Sequence, residues 1–234
     1  MKRHNQPRDG FTIVELSLSM TLLGVLLFIL VVSAMNFVNI YDKGITLKRA
    51  NQSGTAIGEE LQANLRESSE VTVRRSPGGT ATGVCTGTYS FVWSVYGSGS
   101  GATNGTATIP LFYSDGSQVY FAQVKDPSKD LCKPGSTVKP YKGTDLTQPY
   151  QSTELLGDGL VIRDPSTATN QGGLDVILSP DNKLTTVIYT ISTNGGDDII
   201  SDNSNRASCQ GGNSSSFCAL NTFVITAYSA GVYN

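Results

Sequence analysis

Gly10-Phe11-Thr12-Ile13-Val14-Glu15-Leu16 opens the stretch that decides the fold. From Phe11 to Tyr41 the only charged residue is Glu15, set in an otherwise apolar run. About 20 consecutive apolar residues are enough to cross a bilayer as a helix, and this run exceeds that. A charged side chain inside such a helix costs ~2.5–3.5 kcal/mol and needs a partner. Ahead of the run lie Lys2, Arg3 and Arg8, which favour a cytoplasmic N-terminus. An ordinary signal peptide would have a shorter apolar core followed by a small-residue cleavage site. Ser33-Ala34-Met35 imitates such a site, but the apolar run is too long for one. A plain single-span anchor accounts for the length and leaves Glu15 unexplained.

Beyond the apolar run the helix is expected to continue with a one-sided pattern. Ile40, Leu47, Ala50, Gly54, Ile57, Leu61 and Leu65 recur at helical spacing. Asp42, Lys43, Lys48, Arg49, Gln52, Glu59, Gln62 and Arg66 occupy the other face. The spacing predicts a helix to about Ser69, divided at residue 38 into an apolar part (11–38) and an amphipathic part (39–70). Gly24 and Gly44 are its expected soft points, since a glycine costs about 1 kcal/mol in a helix interior.

From Val71 the composition turns to Gly, Ser, Thr and Asn, with short β-rich runs. Strands are expected at Val71–Arg75, Tyr89–Tyr96, Ala107–Tyr113, Gln118–Val124, Leu160–Arg163, Leu174–Leu178, Leu184–Ser192 and Thr222–Tyr228. Gly97–Gly105, Pro127–Pro149 and Gly195–Ser216 read as turn-rich connections. The fold class is therefore α+β: a long N-terminal helix, with an antiparallel sheet in the head (71–234) packed on its amphipathic half.

Cys85, Cys132, Cys209 and Cys218 all fall in that head, an even count that suits disulfides in an oxidising compartment. Four cysteines allow three connectivities. A Cys209–Cys218 bridge would close a short loop beside the last strand and leave Cys85–Cys132 as the other. No CxxC occurs and His4 is the sole histidine, so zinc, Ser-His and Cys-His chemistry lack their ligands and bases. There is no Walker phosphate loop either. Asp197, Asp198 and Asp202 form the densest carboxylate cluster, oxygen-rich enough for calcium but off the EF-hand spacing. A solvated turn is the default reading there, with no metal, no cofactor and no catalytic residue expected. The formal net charge of −2 and the single basic pair of the head, Arg74-Arg75, do not favour nucleic acid.

Gly10-Phe11-Thr12-Ile13-Val14-Glu15-Leu16, after a short basic leader and before an apolar helix, resembles the processing site of type IV pilins and type II secretion pseudopilins. The resemblance implies cleavage after Gly10 by a prepilin peptidase, removing residues 1–10, and N-methylation of the new terminus, Phe11. It implies that Glu15 is the assembly residue, pairing with the Phe11 amine of a neighbouring subunit and setting the filament register. Partners would be other pilin subunits through their N-terminal helices, the membrane before assembly, and an inner-membrane assembly platform. Asp9 departs from the basic or neutral polar residue usual before the glycine, and the family's frequent helix-bending proline has no counterpart. The loop-rich head and the segment Leu47–Ser68, with Arg49, Glu60, Leu61, Leu65 and Arg66, resemble the larger minor pilins and J-type minor pseudopilins. The near-terminal Cys209–Cys218 loop is similar to the disulfide-bounded region of many type IVa pilins. A filament subunit is thus expected, pilus or secretion pseudopilus. The alternative is a membrane-tethered adhesion or sensing module that never polymerises.

Overall fold

A computed structural model describes the backbone of residues 12–76, 79–96, 107–143, 147–157, 159–163, 174–181, 183–193, 199–201, 207–209 and 218–228. The chain divides into two compact units, before and after the Asp42–Lys43 junction. Helix α1, Ile13–Glu67, runs unbroken through that junction. Its bounds lie within two residues of the expectation, and it stays helical through Gly24 and Gly44.

The first unit is α1 as far as Asp42. Helical hydrogen bonding satisfies its backbone internally, which an apolar environment demands. Its hydroxyls turn inward as well. Ser17 Oγ donates to the Val14 carbonyl at 2.9 Å, Ser19 Oγ to Glu15 at 2.7 Å, and Thr21 Oγ1 to Ser17 and Leu18, each at 2.9 Å. Such back-bonding removes the polar cost of Ser and Thr in a greasy helix. The surface left outward is predominantly apolar among the described side chains.

The second unit holds the rest of α1 and the β-rich head. Ala50, Ile57, Leu61 and Leu65 are fully buried, as their seven- and four-residue spacing predicts, whereas Ile40 and Leu47 of the same stripe remain exposed. Two sheets receive this face. The larger contains β1 (Thr72–Arg75), β2 (Ala81–Cys85), β3 (Tyr89–Trp93), β6 (Phe121–Lys125), β7 (Tyr141–Lys142) and β8 (Gln151–Glu154), ordered β1-β2-β3-β6-β8-β7. The smaller is β10 (Leu174–Leu178), β11 (Leu184–Thr193) and β14 (Leu220–Tyr228), with β9 (Leu160–Ile162) also paired to β11. Two hairpins, β4–β5 (Val95–Tyr96 with Ala107–Ile109) and β12–β13 (Ile199–Ser201 with Ala207–Cys209), complete the described strands. All pairs are antiparallel except β7–β8, which is parallel, so the head is a mixed structure rather than a purely antiparallel one.

One hydrophobic cluster joins the buried face of α1 to Val84, Phe91, Trp93 and Phe121 of the larger sheet and to Leu174, Val187, Tyr189 and Ile191 of the smaller. The opposite face of the larger sheet has its own cluster, with Val92, Ala122, Val124, Tyr113 and Leu131. Polar pins fix α1 to both sheets. Gln123 Nε2 donates to Glu60 Oε1 at 2.6 Å, and Gln62 Nε2 to the Thr226 carbonyl at 3.0 Å. Tyr189 Oη donates to the Gly54 carbonyl at 2.7 Å. A side chain at Gly54 would occupy the space of the Phe223 ring, so the glycine sets how closely helix and β14 approach.

Several strands depart from the expected set for identifiable reasons. Ser94 divides the expected Tyr89–Tyr96 strand: its Oγ donates to the Val119 carbonyl at 2.6 Å and accepts from the Leu111 N–H at 2.9 Å. β2 was not expected, because Ala81-Thr82-Gly83-Val84-Cys85 lacks alternation. Gly83 is there because a Cβ would sit 3.0 Å from the Phe91 carbonyl oxygen. β8 is wholly polar and is held instead by Glu154, whose carboxylate accepts from the N–H groups of Tyr120 (3.1 Å) and Phe121 (2.5 Å). β7, β12 and β13 lie in segments read as turns.

Candidate functional site

The candidate site is the start of α1 and the apolar surface that follows it. Thr12-Ile13-Val14-Glu15 has the Ser/Thr-x-x-Glu spacing of a capping box, in which N-cap and third helical residue exchange hydrogen bonds. The exchange is present here. The Glu15 N–H donates to Thr12 Oγ1 at 3.3 Å, while the Thr12 N–H and hydroxyl each donate to Glu15 Oε2 at 3.2 Å. The carboxylate is thereby folded over the helix N-terminus, where the positive end of the backbone dipole also favours an anion. This cap was legible in the sequence from its spacing, and reading Glu15 only as a lone charge missed it.

The remaining side chains of this part of α1 present their apolar groups outward. Ile13, Val14, Leu18, Met20, Phe28 and Phe37 are each at least 70% exposed. Such a continuous apolar surface greatly exceeds the few hundred Å² that soluble monomers leave uncovered. Among the described residues, α1 is the one helix long and apolar enough to cross a membrane. Chemically the arrangement offers a surface for lipid or for like helices, with one anchored carboxylate at its N-terminal edge.

The other sequence-derived site residues are distributed as follows. Gly10 and Phe11 lie outside the described residues, as do Asp197, Asp198 and Asp202. Cys85 and Cys132 are bonded to each other, with Cα atoms 6.2 Å apart. The geometry has a local cause. Buried Asp126 accepts from the Asp130 N–H at Oδ1 (2.9 Å) and from the Leu131 N–H at Oδ2 (3.0 Å), at the start of a 3-10 turn that ends at Cys132, and Ser90 Oγ also donates to Oδ2 at 2.8 Å. Cys218 is also disulfide-bonded, while the side chain of Cys209 lies outside the described residues. Among the described residues no cluster of three or more His, Cys, Asp or Glu side chains stands ready for a metal. Comparison with family models, curated proteins and solved structures yields no match to this chain.

Proposed function

We propose that this protein is a subunit of a type IV pilus-like filament, held in the membrane by the first part of α1 and assembled through that same surface. The observation that carries the proposal is the exposed apolar helix beginning with an anchored carboxylate, five residues after the Gly10-Phe11 junction. In this reading peptidase cleavage after Gly10 frees the Phe11 amine. Glu15 of one subunit then pairs with that amine on its neighbour. The apolar area drives association at roughly 25 cal/mol per Å² but prefers no axial register. The ion pair supplies the register, because an unpaired charge in a dry bundle is far less stable than a paired one. The head decorates the filament, and its size suits a minor pilin or minor pseudopilin.

A second reading draws on the capping box. Thr12 already gives Glu15 a partner within its own helix, so the carboxylate is compatible with a tethered surface module that never polymerises. The two readings separate by mass spectrometry of the N-terminal peptide from native cells. A terminus at N-methylated Phe11 supports the filament subunit. An intact Met1–Gly10 leader refutes it and leaves the tethered module.

A further inference from the structure

We infer that the head carries a binding site for a small organic carboxylate, in a cavity of about 580 Å³ between the β1–β2 edge, β5 and the loop that follows Cys132. Three cations line it, Arg74, Arg75 and Lys133, and no carboxylate is among the described lining residues. Two of the cations are already engaged. Lys133 Nζ is paired with Asp130, and Arg75 Nη1 donates to the Gly79 carbonyl at 3.0 Å.

Arg74 is different. Its Nη1 is buried without a hydrogen-bond partner, and Ser76 Oγ, two residues on, is in the same condition. Buried polar groups in native proteins are almost always satisfied, and an unmet guanidinium N–H is among the costlier exceptions. Burial also lowers the Arg74 pKa, as expected for a guanidinium deprived of water with no acid to replace it. β1 and β2 keep regular antiparallel register as far as Arg74, which lies opposite Gly83, a residue with no side chain, and the register slips just beyond it, between Arg74 and Arg75.

The cavity specifies more than a bare anion. A guanidinium fork matches the planar two-oxygen face of a carboxylate, and the Ser76 hydroxyl adds a second donor. The lining also includes the large apolar residues Trp93, Ile109, Pro110 and Leu111. The volume falls in the range of ligand pockets, roughly 300–1,000 Å³, which suits an acid carrying a ring or branched aliphatic body. The site is independent of whether the chain polymerises.

Trp93 is the only tryptophan, so its fluorescence reports the cavity directly. The probe is cyclohexanecarboxylate, transparent where tryptophan absorbs, titrated into the full chain in detergent micelles. Saturable change with a Kd below about 10 mM is expected. Cyclohexanecarboxamide, the same shape without charge, should bind at least roughly tenfold more weakly, as should cyclohexanecarboxylate to Arg74→Gln, since hydrogen bonds to charged groups carry that much. Ser76→Ala, which leaves the arginine in place, should weaken binding several-fold and serves if Arg74→Gln fails to fold. The inference is overturned if acid and amide act alike or if no saturation is reached. It is equally overturned if inorganic phosphate displaces the acid at matching concentration, because the cavity would then hold only a bare anion.

Discussion

Gly54→Ala and Gly44→Ala make the same chemical change about three turns apart on α1, yet the structure requires opposite outcomes. At Gly44 an added Cβ meets nothing within 4 Å. Replacing glycine there only removes backbone freedom from the unfolded chain and should stabilise by ~0.5–1 kcal/mol. At Gly54 the same methyl would lie 2.1, 2.3 and 2.7 Å from three atoms of the Phe223 ring. That ring is not a loose side-chain end. It stacks on Tyr189 with centroids 5.2 Å apart, and Tyr189 in turn donates to the Gly54 carbonyl. Overpacking of this kind costs typically 1–3 kcal/mol. Loosening the tyrosine hydrogen bond adds about 1 kcal/mol, against the ~1 kcal/mol gained in helix propensity. The net expectation is a loss of ~1–3 kcal/mol, or roughly 2–12 °C in Tm at about 2–4 °C per kcal/mol for a chain of this size. Thermal unfolding of the full chain in detergent, read by Trp93 fluorescence, measures it. Phe223→Leu in the Gly54→Ala background should recover part of the loss, and the resulting double-mutant cycle isolates the ring contact. If Gly54→Ala matches Gly44→Ala in sign, the reasoning that β14 is seated on α1 through this glycine is wrong.

Glu15→Ala should leave a stable membrane-resident protein whose incorporation into filaments collapses, measured by shear fractionation; normal incorporation would remove the register role. Thr12→Val removes the cap but keeps the carboxylate, so it should cost the helix terminus about 1 kcal/mol while assembly persists, read by the same fractionation. Replacing Cys85 and Cys132 by serine opens a bridge spanning 47 residues of sequence, and loop-closure entropy puts the loss at about 4 kcal/mol in denaturant titration. Alkaline pH gives a further expectation. Burial raises the phenol pKa of Tyr96, Tyr113 and Tyr189 above their ordinary 10.0, with Glu154 adding to the effect at Tyr113 and Tyr96. A raised folded pKa means stability that is fully present below pH 10.0 and is lost as pH climbs past it. Phenolate absorbance of these three should therefore appear together with the loss of Trp93 signal rather than before it.

The sequence pattern was most legible where burial is one-sided and local. In β11, Thr185, Val187, Tyr189 and Ile191 are buried while Leu184, Thr186 and Ile188 are not, the alternation expected of a strand with one face on the core. The stripe Ala50–Leu65 was legible for the same reason. It failed at Ile40 and Leu47 because periodicity records a face and does not tell where along the helix its cover begins. β2 and β8 were not legible, since one is shaped by a close approach at Gly83 and the other by the carboxylate of Glu154, contacts made across the sheet. The Arg74–Ser76 cavity was invisible for a related reason. Arg74 lies opposite Gly83 across a strand pairing, and the rest of the lining comes from β5 and the loop after Cys132, a juxtaposition that no single segment records.

The N-terminus of α1 shows how a local rule and a functional reading converge on one residue. A glutamate in an apolar run demands a partner, and the sequence alone suggests seeking it on another molecule. Thr12 supplies one three residues away, with both donors on a single carboxylate oxygen, Oε2. Neither bond to Glu15 is made to the other oxygen, Oε1. Capping and intermolecular pairing are thus not exclusive: the first orients the carboxylate at the helix edge, and the second needs a carboxylate held in one place. An acid free to swing along the helix would pair with neighbours at several staggers and specify none. In the filament reading the threonine is therefore a positioning residue, and Thr12→Val should broaden the register while assembly persists.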